Sequence, residues 1–477
     1  MEKTIVITEK HCVISPIDNY ILNFFNNNFF YKDTSKCYRY GVFNKEFIRY
    51  IKFFLEKEKK IIVYSGIYDY IKNNYSNFFN YLQKNYSIID KRSKIEISST
   101  TIEDISKTFN LRDYQQKIFN NLENNMVIKA PTGAGKTLIS LALCFLFLNN
   151  NKKILYIAPS KDILKKTSEI AEKYFDKDNI GMTWTNYNTP NKILQFSTPQ
   201  SVYKNTIENY DVLFIDEVHT ATNDFFQKFL KKYKFEFIYG FSATPFTNEL
   251  NKMKLMQFMG NVFEVENLDN LIENNFLAKP IFYIVDINYP IDFLNKVSLF
   301  ENKNIAIVDI EKELIANNNI RNEKIVDIAI SKFNENKKVL VLTKLLEHNK
   351  NLEQIFINKS FNKEKLYFLS GINSLKQRKE VIDKFQKNKD GMILVATQIF
   401  KQGVDIPALN VLILADGMSA FHLAIQKTGR VLRVAEGKSE AEIIDFSDKF
   451  NSILYKRFYK RLKTYKQIKN KEFRGVD

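Results

Sequence analysis

Short, predominantly apolar segments alternate with helix-like segments over most of this chain. A first set contains MVIKA, KILYIA, DVLFID and FIYGFS, and a second set contains KKVLVLT, KLYFLS, GMILVAT and NVLILAD. Strands that are apolar on both faces, with helices between them, are typical of parallel sheets covered on both sides. The two sets therefore predict an α/β protein with two parallel-sheet domains in tandem.

The same pattern predicts four parts in the 477 residues. The two sets occupy residues 105–280 and 281–448, and the segment DNLIENNFLAKP, which ends at Pro280, is typical of a junction. Residues 1–104 are dense in aromatic residues and lysine and carry no nucleotide motif, which predicts a small accessory domain. Residues 449–477 predict a basic helical tail.

The segment APTGAGKT follows MVIKA and precedes a helix-like segment, which is the context that a phosphate-binding loop requires. Gly133 and Gly135 would let the backbone approach phosphate groups closely. Lys136 would reach the β- and γ-phosphates of ATP, and the Thr137 hydroxyl would bind Mg²⁺. The first glycine of the general pattern is replaced by alanine here. The predicted ATP-binding loop comprises Ala130, Pro131, Thr132, Gly133, Ala134, Gly135, Lys136 and Thr137.

The segment DEVH begins at Asp216, at the end of the apolar segment DVLFI. Carboxylates at the carboxyl end of a parallel strand lie where such sheets bind ligands. Asp216 would hold Mg²⁺ through water, and Glu217 would orient or deprotonate the attacking water. His219 is either a coupling residue or a packed side chain. In the segment SATP, the hydroxyls of Ser242 and Thr244 would hydrogen-bond back to the Asp-Glu pair and sense the γ-phosphate.

Two arginines, Arg430 and Arg433, lie three residues apart in the segment QKTGRVLR. Three residues make about one helical turn, so both side chains can point the same way. Both side chains would face a shared anion, or else the two arginines would be a surface pair that forms salt bridges.

These motifs, in this order, resemble those of superfamily 2 helicases and translocases of the DExH group, from about Leu111 to Asp445. The resemblance extends to LRDYQ, IAPSKDIL, STPQSV, VLVLTKLLEH, FLSGINSLKQR and VATQIFKQGVDIP. It implies two RecA-like domains that face each other across a cleft, where ATP and Mg²⁺ bind. It assigns the adenine base to Gln115 and Arg112 and the γ-phosphate to the two arginines. Further residues lining the cleft would be Gly403, Asp405 and Gln426.

The resemblance also implies a shelf for a nucleic-acid backbone. Small hydroxyls, backbone amides and a few lysines suit contacts to phosphates that carry no sequence information. We therefore expect sequence-independent binding that weakens with salt. The implied contacts are Ser160, Lys161, Thr198, Pro199, Thr343, Lys344, Gly371 and Thr397.

The formal charge of +17 favours a polyanionic partner, with a merely solubilising surface as the alternative. Residues 449–477 hold ten basic and two acidic residues. This tail either lies along phosphates or is a solvated helix whose aromatic residues dock on the second domain. In the accessory domain Tyr38, Arg39 and Tyr40 are candidates for nucleic-acid contacts, with a role in a small aromatic core as the alternative.

The sequence argues against several other classes of protein. Cys12, Cys37 and Cys144 lack the spacing of a zinc site or a disulfide framework, which fits a reducing interior. The first ten residues lack the shape of a secretory signal. The longest apolar stretch, LISLALCFLFL, is about half of what spans a bilayer. We expect a soluble protein of the cytoplasm or of a host cell interior, with no membrane partner.

Segments around the domain junction resemble the UvsW-like and XPB-like branch of the superfamily, whose members are duplex-DNA translocases. This implies an ATP-dependent DNA helicase or translocase that unwinds, branch-migrates or remodels duplex or forked DNA in repair, recombination or replication. An RNA-directed ATPase of the same superfamily is the alternative, because both polymers offer phosphates. A non-catalytic clamp fits less well, because Lys136, Glu217 and both arginines are present.

Overall fold

The computed structural model describes residues 2–33, 38–39, 42–43, 48–95, 97–184, 187–204, 209–301, 306–397, 409–417, 431–434 and 438–475. The chain divides into two compact units, Met1–Glu266 and Asn267–Asp477. Each unit contains a parallel sheet covered by helices, and the first unit carries an additional small sheet. The predicted fold class is confirmed: two RecA-like α/β domains in tandem, a small N-terminal domain and a C-terminal helix.

The N-terminal domain is built on a five-stranded sheet with the order β7-β8-β2-β1-β9. Two short ribbons, β3–β6 and β4–β5, lie outside this sheet. The strands are β1 (Thr4–Ile7), β2 (His11–Ser15), β3 (Phe30–Asp33), β4 (Tyr38–Arg39), β5 (Val42–Phe43), β6 (Arg49–Lys52), β7 (Leu55–Lys57), β8 (Lys60–Tyr64) and β9 (Ser87–Asp90). The helices are α1 (Asn19–Asn28), α2 (Ser65–Asn74) and α3 (Ser76–Asn85).

Aromatic residues fill the core of the N-terminal domain. The rings of Phe24 and Phe78 stack with their centroids 3.5 Å apart, and Phe25 and Phe29 are fully buried. The core role that is the alternative for Tyr38, Arg39 and Tyr40 is not tested by these phenylalanines. Tyr38 and Arg39 lie in the ribbon β4–β5, whereas Tyr40 is outside the described residues.

The first RecA-like domain contains an eight-stranded sheet with the order β13-β12-β14-β11-β15-β16-β10-β17. Its pairs are parallel except for β12–β13. The strands are β10 (Asn125–Lys129), β11 (Ile154–Ile157), β12 (Ile180–Trp184), β13 (Tyr187–Asn188), β14 (Leu194–Ser197), β15 (Val212–Asp216), β16 (Phe237–Ser242) and β17 (Asn261–Glu264). The helices are α4 (Ser99–Phe109), α5 (Asp113–Asn120), α6 (Lys136–Asn149), α7 (Lys161–Ala171), α8 (Pro199–Lys204), α9 (Asp224–Lys232) and α10 (Glu249–Met259).

The N-terminal domain packs directly on α10 of the first RecA-like domain. A Cβ atom on Gly66 would lie 2.5 Å from the carbonyl oxygen of Met256, so only glycine allows this approach. The ring of Tyr64 contacts Phe258, and the buried side chains of the two domains form one continuous core. Removal of the N-terminal domain would therefore expose part of the core of the first RecA-like domain.

The second unit contains a seven-stranded parallel sheet with the order β20-β21-β19-β22-β23-β18-β24. The strands are β18 (Lys279–Val285), β19 (Lys338–Thr343), β20 (Leu366–Leu369), β21 (Met392–Thr397), β22 (Val411–Leu414), β23 (Glu440–Phe446) and β24 (Glu472–Gly475). The helices are α11 (Leu268–Glu273), α12 (Ile291–Glu301), α13 (Ile307–Glu311), α14 (Asn319–Asn334), α15 (Leu346–Asn358), α16 (Leu375–Lys387) and α17 (Ser452–Gln467). A π-helical turn, Lys312–Ala316, links α13 to α14.

The C-terminal helix α17 is docked on the second unit. Its buried face includes Leu454, Phe458 and Tyr465, and the chain beyond it pairs β24 with β18 at the edge of the sheet. The alternative in which the aromatic residues of the tail dock on the second domain is therefore supported for this face. Across the described part of the chain, the helices lack the combination of length and apolar character that a membrane crossing needs.

Candidate functional site

The predicted phosphate loop joins β10 to the first turn of α6. Gly133 and Gly135 adopt positive φ angles of 95° and 83°, a region that favours glycine. The loop is tied to the neighbouring strand, since the Ala130 amide donates to the carbonyl oxygen of Ser242 at 3.1 Å. Because α6 begins at Lys136, its first amide groups point toward the loop and make it a site suited to an anion. The loop residues therefore fit a nucleotide phosphate chain.

The side chain of Gln115 anchors this loop from α5. It is only 3% exposed, and its Nε2 donates to the carbonyl oxygen of Ala134 at 2.9 Å. Its Oε1 accepts from the amide of Arg112 at 2.9 Å. A Cβ on Gly135 would lie 2.3 Å from Nε2, so glycine is needed for this close packing. Sequence reasoning assigned Gln115 to adenine; the geometry adds a role in shaping the phosphate loop.

We expect Gln115→Ala to weaken the binding of GTP about tenfold, because the two hydrogen bonds of Gln115 that hold the loop are lost. The binding of ATP should weaken at least as much, since Gln115 is also predicted to contact the adenine base. Titration of fluorescent analogues of both nucleotides measures this. Gln116→Ala is the matched control, since Gln116 bonds only the Leu111 carbonyl among the contacts of its side chain in the described residues. Weakening of ATP binding alone would mean that Gln115 contacts the adenine base but does not hold the loop.

Asp216 and Glu217 lie at the carboxyl end of β15, beside Lys136. The ammonium of Lys136 is 3.2 Å from Oε1 of Glu217. Asp216 is buried, and its Oδ1 accepts from the amide of Glu217. Burial raises the pKa of Asp216 to about 6, an effect that the charge of Lys136 opposes and that of Glu217 reinforces. Two carboxylates and one ammonium are thus gathered next to the phosphate loop.

Glu217 is connected through His219 to the segment SATP. Nδ1 of His219 lies 3.4 Å from Oε2 of Glu217 and 3.2 Å from the hydroxyl of Ser242. That hydroxyl accepts from the amide of Thr244 at 3.2 Å. The Thr244 hydroxyl is buried and has no hydrogen-bond partner within the described ranges. A continuous polar path therefore runs from the carboxylates to the segment that leads into α10.

We expect Ser242→Ala to lower the stimulation of ATP turnover by nucleic acid about tenfold, because it removes the hydroxyl that joins His219 to Thr244. The ratio of turnover with and without nucleic acid is the readout. Thr222→Ala serves as the control, since the Thr222 hydroxyl donates to the backbone of His219 and does not take part in this path. An unchanged ratio in Ser242→Ala would remove Ser242 from the coupling path.

The predicted nucleic-acid contacts of the first unit lie beyond the carboxyl ends of two strands. Ser160 follows β11 and caps α7, where its hydroxyl accepts from the Asp162 amide. Lys161 begins α7 and is exposed. Thr198 follows β14 and bonds Ser201 at 2.9 Å, while Pro199 begins α8. These residues share one edge of the sheet, and their role as contacts stays a prediction.

The predicted contacts of the second unit also lie at the carboxyl ends of strands. Thr343 ends β19 and hydrogen-bonds Asn349, and Thr397 ends β21. Gly371 is exposed after β20. Lys344 forms an ion pair with Glu311, a residue that sequence reasoning missed. Motif spacing carries no signal for it, because the partners lie in separate elements.

The buried carboxylate of Glu311 forms ion pairs with two basic residues of the second unit. Its Oε1 lies 2.7 Å from Nη1 of Arg457 on α17, and its Oε2 pairs with Lys344. Arg457 also donates to the carbonyl oxygen of Gly417 at 3.4 Å. Lys344 and Arg457 therefore share one carboxylate, and α17 is connected to the strand end that precedes the segment containing Arg430.

Of the predicted γ-phosphate residues, the structure describes Arg433. Its backbone forms a β-bridge with Leu277, and burial lowers its pKa. Lys438 donates to the carbonyl oxygens of Val431 and Arg433, the latter at 2.9 Å. Burial lowers the pKa of Lys438 to about 7. The remaining predicted residues of this group lie outside the described residues: Gly403, Asp405, Gln426 and Arg430.

A phosphate loop on β10 and an Asp-Glu pair on β15, in a parallel sheet followed by a second RecA-like sheet, define a tandem RecA-like ATPase. Residues 108–247 match the family described as "Type III restriction enzyme, res subunit", and residues 320–435 match the "Helicase conserved C-terminal domain".

Two relatives and one solved structure are similar to most of this chain. "Putative helicase 22" of Sulfolobus islandicus filamentous virus is 27% identical over 71% of this chain and 64% of its own length. "ATP-dependent DNA helicase uvsW" of Enterobacteria phage T4 is 25% identical over 75% of this chain and 71% of its own. The structure of S. cerevisiae Dbp5 bound to RNA and ADP BeF3 has a TM-score of 0.54, with 14% identity over 79% of this chain and 93% of that one. The chain is a superfamily 2 helicase, an enzyme that hydrolyses ATP and binds nucleic acid. It resembles the UvsW-like and XPB-like branch of that superfamily.

Proposed function

We propose that the chain couples ATP hydrolysis to unwinding, branch migration or remodelling of duplex or forked DNA, in repair, recombination or replication. The observation that carries this proposal is the similarity to a DNA helicase over three quarters of the chain, combined with the position of Lys136 beside Glu217 and of Gln115 against the predicted phosphate loop in the first unit. The positive charge of +17 supports a polyanionic track.

In this proposal the residues of the first unit bind and orient ATP. The loop amides and Lys136 hold the phosphate chain, and Thr137 with Asp216 holds Mg²⁺, which neutralises charge on the phosphates when bound. Glu217 orients or deprotonates the attacking water once Lys136 turns from Glu217 toward the phosphates. Little covalent chemistry is required of the protein, so positioning and charge dominate.

The second unit is proposed to supply positive charge to the γ-phosphate through Arg433 and Arg430. The β-bridge to Leu277 and the hydrogen bond from Lys438 hold the backbone of Arg433 in place. A fixed backbone supports the proposal that the guanidinium of Arg433 is positioned for the phosphate. Arginines of this type contribute about 10³–10⁵ in rate in other phosphoryl-transfer systems. Gly403, Asp405 and Gln426 complete the proposed set, and Arg112 and Gln115 are proposed at the base.

An RNA-directed activity is the second candidate. The residues proposed as backbone contacts meet phosphates, which DNA and RNA share, and the same fold carries RNA in the Dbp5 complex. DNA is preferred here because two relatives that are similar over three quarters of this chain are described as a DNA helicase and a DNA translocase.

The test is steady-state ATP hydrolysis with single-stranded DNA, duplex DNA, forked or four-way DNA, and RNA, at two salt concentrations. We expect duplex or branched DNA to stimulate turnover most, and less so at the higher salt. Stimulation mainly by RNA would transfer the protein to the second candidate. Equal turnover with and without every polymer would overturn the coupling itself. The Lys136→Ala variant gives the background rate.

A further inference from the structure

We propose that the outward face of α17 is a binding surface for the phosphate backbone of a nucleic acid. This surface comprises Lys456, Lys460, Lys463 and Lys466, with Tyr455 and Tyr459 beside them, and is called the lysine face below. The inference deepens the proposed function and rests on it, because it names a surface of contact with the same polymer.

Basic side chains are sorted between the two sides of α17. The helix carries six basic residues and no acidic one. Its two arginines turn inward: Arg457 pairs with Glu311, and Arg461 binds both carboxylate oxygens of Asp445, at 2.7 and 2.9 Å. The arginines are thus used to dock the helix, and the lysines are left on the outer side.

The four lysines form a row on this outer side. All four are exposed and recur at intervals of three or four residues, which brings them to one face. From Lys456 to Lys466 the helix rises about 15 Å, roughly the length of four base-pair steps. No carboxylate of the described residues forms an ion pair with them, so their charges are available to a partner.

Two exposed tyrosines border the row. Tyr455 and Tyr459 are 40% and 48% exposed. The ammonium of Lys463 lies 5.0 Å from the ring centroid of Tyr459. Aromatic rings interleaved with lysines are typical of surfaces that contact sugars and bases while cations meet phosphates.

The docking of α17 on the second unit fixes the backbone positions of the four lysines. The ion pair of Arg461 with Asp445 is fully buried, and β24 beyond the helix is hydrogen-bonded to β18. A helix whose backbone is already ordered loses less entropy when it binds than a segment that must first fold. Lysine acts as a point charge without the bidentate preference of arginine, which suits contacts that do not depend on base sequence.

The expected occupant is a nucleic acid and not an acidic protein, because the row is continuous and unbroken by acidic residues. Protein-binding surfaces of mixed charge use both signs to fix register, whereas a polyphosphate backbone presents one sign at a regular interval. Lys344 of the predicted shelf shares the carboxylate of Glu311 with Arg457, whereas no ion pair of the four lysines of the row is found among the described residues.

The test compares the parent chain with a variant in which all four lysines become glutamine: Lys456→Gln, Lys460→Gln, Lys463→Gln and Lys466→Gln. Fluorescence anisotropy measures binding of a labelled DNA duplex and a labelled single strand at several salt concentrations. We expect binding at low salt to weaken at least tenfold. The slope of log K against log salt should fall by about two to four, since each phosphate contact on a duplex contributes about 0.9.

Two further variants control for charge and for folding. A scattered set of exposed lysines in the same unit removes the same charge without sharing one helix face: Lys350→Gln, Lys363→Gln, Lys387→Gln and Lys389→Gln. A set with arginine at all four positions of the lysine face keeps the charge and should keep the slope. Melting temperatures of all variants report whether α17 stays docked.

The outcomes separate this inference from the proposed function. The proposal is supported if the lysine-face variant loses affinity and slope, while the scattered variant does not and turnover without nucleic acid is unchanged. Equal losses in the two glutamine variants, or none, overturn the lysine face but leave DNA-stimulated hydrolysis by the parent intact. Binding of labelled polyglutamate is measured in the same way as a stand-in for an acidic protein. If the lysine-face variant loses binding to polyglutamate while its nucleic-acid binding is unchanged, the proposal is overturned in favour of an acidic protein partner. A parent that binds no nucleic acid overturns the proposed function.

Discussion

Lys136→Ala is expected to lower ATP turnover by about 10³ or more. Removing a single charged or hydrogen-bonding group from a preorganised site of this type costs about 10²–10³, and Lys136 is proposed to contact both the β- and the γ-phosphate. Its ammonium also balances two carboxylates: it lies 3.2 Å from Glu217 and opposes the rise in the pKa of the buried Asp216. The variant therefore leaves negative charge where the phosphates should bind.

Steady-state hydrolysis and fluorescent nucleotide binding together check this prediction. Lys136→Ala should lose both binding and turnover, whereas Glu217→Gln should keep binding and lose turnover by about 10²–10⁴, as expected for a general base. Lys129→Ala is the matched control, since Lys129 ends β10 just before the loop and pairs with Glu264. Substantial hydrolysis by Lys136→Ala would contradict the assignment of the phosphate loop.

Arg461→Met is expected to destabilise the second unit by about 3–5 kcal/mol. Both members of the pair with Asp445 are almost fully buried, and removal of one partner leaves an uncompensated buried charge. The carboxylate of Asp445 would keep only neutral donors, the hydroxyl of Tyr465 and the amide of Phe446. Methionine fills much of the space, so the effect reports the charge more than the volume.

Chemical and thermal denaturation of the full chain measure this effect. The double variant Arg461→Met with Asp445→Leu should recover a large part of the loss, because the isolated buried charge is gone. Arg474→Met is the control; Arg474 forms an exposed ion pair with Glu472 on β24, and we expect little change. A stability of Arg461→Met equal to that of the parent would show that this pair does not hold α17 in place.

Eight strands of the two large sheets could be predicted from local sequence: β10, β11, β15, β16, β19, β20, β21 and β22. A strand buried on both faces must be apolar over most of its length, and segments such as FIYGFS and GMILVAT satisfy this without reference to the rest of the chain. The phosphate loop could also be predicted from local sequence. Its backbone needs positive φ angles at residues 133 and 135, and glycine, which adopts such angles readily, stands at both positions.

The N-terminal domain shows where local patterns stop being informative. The sequence left Tyr38, Arg39 and Tyr40 open between nucleic-acid contacts and a role in an aromatic core, and it did not indicate which other aromatic residues form a core. In the folded chain Phe25, Phe29 and Phe78 are buried and continuous with the core of the first RecA-like domain. Gly66 is explained only by the backbone of α10, nearly 200 residues away in sequence.

By itself the sequence determined the α/β class, the order of the elements, the phosphate loop and the Asp-Glu pair, because each depends on residues that are neighbours along the chain. Only the tertiary structure decided that Gln115 holds the loop, that Glu311 pairs with Lys344, and that the arginines of α17 turn inward while its lysines turn out. The physical reason is that a buried polar group must find a partner. Which group becomes that partner depends on distances that exist only after the elements have packed.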